Sequence, residues 1–263
     1  LLIGADGVHS MVRQHMLADA EPSYAGYVSW RGLIPERDIP PAFRESLLNR
    51  MNFCFPDGEM ALTVPVPKAI GAASLRCQFS WFRPLHHSAL ITGFCAENGV
   101  PSRVPSISPL RIRSEVFEQL KAIAKEILPP QVAFLIEQAQ YPLLQPIFDY
   151  EAPRMALGRA VLVGDAAFVA RPHVGTGVTK AAIDAIVLAD ALVHAGSDIP
   201  SALMSYEQDR IPAGRQLVGR GRALGAYLSA QLLPHDQRGA LGLYRNPERY
   251  MRAFGGGGHS VPA

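Results

Sequence analysis

The sequence predicts a mixed α/β fold. Both ends of the chain build one strand–turn–helix body, and the middle forms an antiparallel sheet. Three observations predict this. Short apolar strands at residues 1–4 and 160–163 each run into a tight turn and then a helix, the pattern of an open α/β sheet. Between them, residues 26–83 hold strand-like runs rich in β-branched and aromatic residues, with the turn Pro56-Asp57-Gly58-Glu59 among them. Beyond Gly175, helical segments continue to about residue 233.

Composition narrows the class. The chain has 263 residues, 48% hydrophobic and 18% charged, enough to bury a core and too apolar for wholesale disorder. A net charge of +2 leaves no electrostatic footprint for nucleic acid or an anionic membrane. No apolar run approaches the roughly 18–20 residues of a membrane span. Cys54, Cys77 and Cys95 are odd in number and widely spaced. They argue against a disulfide framework or a zinc knuckle, and they fit a reducing, cytoplasmic setting. No metal site is expected. The chain opens Leu-Leu-Ile-Gly, with no Met and no basic segment. It reads as the last strand of an upstream unit, so the chain is expected to be the later part of a longer protein.

The elements follow in order. Ser10 is a candidate N-cap for a helix to about residue 16. Residues 26–34, 50–56, 60–66 and 74–83 read as strands, and residues 35–41 as a loop. Residues 96–109, polar with three prolines, read as a surface loop. Residues 110–128 place Val116, Leu120, Ile123 and Ile127 on one helical stripe that Pro129-Pro130 ends. A short helix to about 138 and an extended stretch at 143–150 follow. Further helices are expected at 175–195, 200–210 and 213–233, then a disordered tail that includes Gly255 to Gly258.

Two segments carry chemistry. In the first, residues 4–13, a strand end and a helix start bring together Asp6, Gly7, Ser10 and Arg13. Such an edge suits a phosphate or pyrophosphate, and equally an ordinary turn with a capping serine. In the second, residues 159–180, Asp165 follows Gly164 directly after a buried strand. A lone carboxylate there needs hydrogen-bond donors, which a ribityl or ribose chain offers. Pro172, Gly175, Thr176 and Gly177 then open a long helix whose start favours negative charge.

These segments resemble the paired Asp-Gly and Gly-Asp motifs of the class A FAD-dependent aromatic hydroxylases, the para-hydroxybenzoate hydroxylase superfamily. The stretches Arg171-Pro172-His173-Val174-Gly175 and Tyr24 to Gly32 look most like the branch that contains 2,6-dihydroxypyridine 3-monooxygenase. The resemblance implies a partial FAD-binding domain of the glutathione-reductase type (residues 1–20 and 151–235), an antiparallel-sheet substrate domain (21–150) and a tail (236–263). It implies FAD as cofactor and NADH or NADPH as co-substrate, used with O2 to hydroxylate a small aromatic or N-heteroaromatic ring. Asp6, Gly7, Ser10 and Arg13 would serve the pyrophosphate region, and Asp165, after Gly164, the ribityl chain. Pro172 and Gly175 to Gly177 would lie beside the flavin ring. Arg171 and His173 are candidate catalytic residues, and Tyr27 and Trp30 candidate substrate contacts. Homodimerisation stays open.

One departure stands out. The family's Gly-x-Gly-x-x-Gly turn, which holds the ADP half of FAD, is missing: Lys180 and Leu224 occupy the third-glycine positions of the two nearest patterns. The chain alone is therefore expected to bind FAD weakly and to be inactive. A stoichiometric yellow flavin spectrum on purification would refute this. Two alternatives remain: another FAD-dependent oxidoreductase of the same fold, or a non-catalytic remnant acting as an interaction module.

Overall fold

A computed structural model describes residues 1–17, 20–69, 74–88, 107 and 109–255. Cys95, most of the loop expected at 96–109 and the glycines beyond Gly255 lie outside the described residues. In chain order the strands are β1 (Leu2–Gly4), β2 (Ser23–Pro35), β3 (Asn52–Cys54), β4 (Met60–Pro67), β5 (Leu75–Pro84), β6 (Leu143–Glu151), β7 (Ala156–Leu157), β8 (Ala160–Leu162) and β9 (Phe168–Val169). The described α-helices are α1 (Met11–Met16), α2 (Pro41–Leu48), α3 (Ser114–Ile127), α4 (Pro130–Gln138), α5 (Gly177–Ala195), α6 (Ile199–Ala230) and α7 (Pro247–Gly255). None is long and apolar enough to cross a membrane.

The chain divides into two compact units. The first joins Leu1–Ala25, Ile147–Ala226 and the stretch from Glu248; the second joins Gly26–Pro146 and Tyr227–Pro247. In the first, β1 pairs in parallel with β8, Ile3 opposite Val161, and β7 adds to β8 antiparallel. Val161 and Leu162 are fully buried, as expected of a strand covered on both faces. Gly4 allows this packing: a Cβ there would lie 2.9 Å from side-chain atoms of both Leu162 and Val12. Met155, Phe168, Tyr206 and Val218 complete the core. Tyr206 Oη donates to the Leu162 carbonyl at 3.0 Å and ties α6 to β8.

Helix α5 is amphipathic in the reverse sense. Its buried stripe is Lys180, Asp184 and Leu188, while Val178, Ile183, Ile186 and Val193 are exposed. Helix α6 differs from expectation, because it runs unbroken through Pro212 for 32 residues. Proline removes one backbone hydrogen bond, and buried Tyr206 and Val218, on either side of it, keep both halves packed. The C-terminal stretch also departs from the expected tail: α7 forms, with Tyr250 completely buried.

In the second unit the strands lie in the order β3-β4-β5-β2. Trp30 stands opposite Trp81 across the β2–β5 pair, and both are buried. The tight turn at Pro56 to Glu59 is present, closed by the Glu59 amide on the Pro56 carbonyl at 3.1 Å. Helix α2 occupies a stretch that reads partly as loop, because Pro40-Pro41 obscures a helix that starts with Pro at its first position. On α3 the buried positions are Leu120 and Ala124, and Ile127 is partly exposed.

Candidate active site

The Asp-Gly turn is a capping device. Ser10 caps α1, its Oγ accepting from the Arg13 amide at 2.9 Å and donating to Asp6. The Asp6 carboxylate also accepts from the amides of Met11 (2.7 Å) and Val12 (3.1 Å), which satisfies the helix start. Burial works against the Asp6 charge, but the Ser10 hydroxyl and these amides outweigh it and hold its pKa below the ordinary carboxylate value. Gly7 makes the turn with φ +78°.

Arg13 is the surprise of this segment. The sequence reading sends it to a pyrophosphate, yet its side chain is fully buried. Nε donates to the Ala20 carbonyl at 3.0 Å, and Nη1 to those of Ala166 (3.0 Å) and Asp165 (3.4 Å). Nη2 donates to the Val8 carbonyl, and the guanidinium stacks 4.4 Å from the Tyr150 ring centre. Arg13 thus clamps the Asp-Gly turn to the Gly-Asp turn, and burial lowers its pKa.

The Gly-Asp turn is gripped from α5. Gly164 sits at φ +60°, between β8 and α5. Its amide donates to Asp184 Oδ2 at 3.0 Å, and its carbonyl accepts from Lys180 Nζ at 2.6 Å. Lys180 and Asp184 pair at 3.3 Å, and Arg210 from α6 binds the other Asp184 oxygen at 2.8 Å. Sequence reasoning missed this cluster. Its signal was present: two charges spaced i, i+4 on the stripe that leads to Leu188. Asp165, the next residue, is exposed, and among the described residues its carboxylate takes no hydrogen bond. The crowding on its protein side raises its pKa, Lys180 opposes that shift, and Asp184 reinforces it.

The loop beyond leads to the start of α5. Arg171 Nε donates to buried Asp149 at 2.8 Å, and Arg222 donates to the other Asp149 oxygen at 2.7 Å and to Glu151. Arg222 therefore has partners inside the fold. His173 is buried, with Nδ1 3.2 Å from Tyr250 Oη. Burial, helped by the charge of Arg171, pushes its pKa down to about 3, so it is neutral at physiological pH. Gly175 turns the chain at φ +65°. Pro172, Gly175, Thr176 and Gly177 are all exposed, and Thr176 makes no capping hydrogen bond, which leaves the first α5 amides open.

In the second unit, Trp30 lines a cavity of about 230 Å³ with Val28, Arg83, Val116, Leu120 and Ile123, among others. Tyr27 points elsewhere: it is fully buried, edge-on to Phe82, and does not line that cavity.

Residues 24–149 match a family described as FAD binding domain-like, and residues 135–221 match the FAD binding domain family. A 2,6-dihydroxypyridine 3-monooxygenase from Paenarthrobacter nicotinovorans is 27% identical over 229 residues, which are 86% of this chain and 56% of that protein. A 2,6-dihydroxypyridine-3-hydroxylase structure from Arthrobacter nicotinovorans superposes with a TM-score of 0.77 at 26% identity, over 86% of this chain and 57% of that one. Over these stretches the chain is similar to FAD-dependent aromatic monooxygenases. A 3-amino-4-hydroxybenzoate 2-monooxygenase from Streptomyces cremeus is 31% identical over 85% of this chain and 49% of its own length. Klebsiella pneumoniae HpxO, complexed with FAD and uric acid, superposes with a TM-score of 0.68 at 26% identity, over 97% of this chain and 58% of that one. The chain spans about half the length of the curated relatives it matches.

Proposed function

We propose that this chain belongs to an FAD-dependent monooxygenase that hydroxylates a small, electron-rich aromatic or N-heteroaromatic ring at the expense of NAD(P)H and O2. One oxygen atom enters the ring and the other leaves as water. The observation that carries the reading is the exposed Asp165 carboxylate, held without a hydrogen bond of its own beside an uncapped helix start. The residues present fit a flavin. Asp165 would accept from ribityl hydroxyls, and the open amides of α5 would face an edge that gains negative charge on reduction. Flavin, when bound, supplies the hydride acceptance from NAD(P)H and the activation of O2. Gly177, with nothing within 4 Å of where a Cβ would be, leaves room for close approach to the backbone. Arg171, held by Asp149, keeps a fixed positive charge on the same loop, and neutral His173 donates or accepts without bringing a second one.

The substrate class rests on the relatives, whose names specify a dihydroxypyridine and an aminohydroxybenzoate. Both are small rings rich in electrons. A cytoplasmic location is supported by the free thiols of Cys54 and Cys77. The test uses protein expressed from the entire coding sequence, supplied with FAD. NAD(P)H oxidation is followed across a panel of hydroxypyridines and aminohydroxybenzoates. Stimulation by one compound, with a product one oxygen heavier, supports the proposal. No stimulation and no oxygenated product across the panel refutes it. Asp165→Ala is expected to weaken FAD binding about tenfold or more, by loss of charge-assisted hydrogen bonds, and to leave the melting temperature of the apoprotein unchanged.

A further inference from the structure

We infer that α7 is the element that seats the loop from Arg171 to Gly175, with Tyr250 as a positioning residue that acts through His173. Among the α7 residues whose burial is described, Tyr250 alone is fully buried; Ala253 and Phe254, half-buried, share its face at i+3 and i+4. That face meets the loop twice. Tyr250 stands edge-on to the His173 ring, centroids 6.3 Å apart at 88°, with its hydroxyl 3.2 Å from Nδ1. Phe254 stacks on Tyr250 at 6.2 Å and lies 3.1 Å from where a Cβ on Gly175 would be. The ring therefore fills the space that glycine leaves at its φ of +65°.

The family matches do not assign this contact. They end at residue 221, and α7 begins at Pro247. The inference rests on the proposed function for its consequence, because the seated loop leads straight into the α5 start. A loop displaced by about 1 Å at such a place can lower turnover by up to a hundredfold. The contact itself stands without flavin.

The test uses the full chain without flavin. Acylation of histidines by diethylpyrocarbonate is read by mass spectrometry, and ring nitrogens by NMR. In the unaltered chain His173 reacts about a hundredfold more slowly than exposed His86 and His87. In Tyr250→Ala the protection of His173 disappears. In Tyr250→Phe the ring still packs, so protection stays, while the His173 nitrogen shifts move because the hydroxyl is gone. Should Tyr250→Ala not fold, Tyr250→Phe alone decides by those shifts. Unchanged protection in Tyr250→Ala, or unchanged nitrogen shifts in Tyr250→Phe, overturns the inference. Failure of the protein to bind FAD would refute the proposed function and leave these results intact. In the flavin-loaded protein Tyr250→Phe is expected to lower kcat about tenfold with KM nearly unchanged.

Discussion

Arg13 makes four hydrogen bonds to backbone carbonyls from three separate stretches of chain. A fully buried guanidinium removed from such a setting leaves several carbonyls unpaired. Arg13→Met is therefore expected to destabilise the fold by about 3 kcal/mol, measured by urea denaturation. Arg13→Lys should recover little, since one ammonium cannot span the fork. His173 gives a pH signature. Its pKa is 6.5 when unfolded and about 3 when folded, so between these values the unfolded chain binds the extra proton. Its contribution is complete above pH 6.5 and is lost as pH falls toward 3, at about 1.4 kcal/mol per pH unit. Urea midpoints measured across that window should show this slope, and His173→Asn should remove it. The capping role of Ser10 was legible in sequence because a cap acts over three residues, whereas the Asp6 contacts to the Met11 and Val12 amides came from the structure. The burial of Arg13 was not legible, because Ala166 lies 153 positions away.

At the scale of elements, α5 shows why periodicity misleads. Lys180 and Asp184 share its buried stripe with Leu188, while Val178, Ile183, Ile186 and Val193 are exposed, so apolar periodicity alone does not locate the buried face. The inward charges are satisfied because Gly164 offers both its amide and its carbonyl to them. Asp184→Asn removes the anion that Lys180 and Arg210 share and should cost about 3 kcal/mol, read as a loss in melting temperature. Two glycine substitutions separate backbone strain from crowding. Both Gly7 and Gly164 have positive φ, but only Gly164 has a neighbour near its absent Cβ, the Ala181 methyl at 3.3 Å. Gly7→Ala should cost about 1 kcal/mol and Gly164→Ala about 2 kcal/mol, compared by chemical denaturation. The join of α6 through Pro212 belongs to this scale as well. Proline predicts a break locally, and packing on both sides of it overrides that preference.

At the scale of the whole molecule, each unit is assembled from stretches far apart in sequence. Ligand binding to the folded form alone stabilises it by mass action. In protein expressed from the entire coding sequence, FAD is expected to raise the melting temperature in proportion to the logarithm of its concentration, and Asp165→Ala to abolish most of that rise. Differential scanning fluorimetry over a flavin series checks it, and a flat series would count against the proposed flavin site. The sequence by itself determined the local parts: the two strand–turn–helix segments, the capped α1, the middle strands and the exposed Gly-rich start of α5. Each is written in neighbouring residues, where turn chemistry and alternation act. Only the tertiary structure decided which side chains complete the site. Lys180 and Asp184 turn inward onto Gly164, Arg222 reaches Asp149 across 73 positions, and Tyr250 reaches His173 across 77. The physical reason is that a buried charge or hydroxyl is tolerable only with a partner, and periodicity cannot specify a partner so far along the chain.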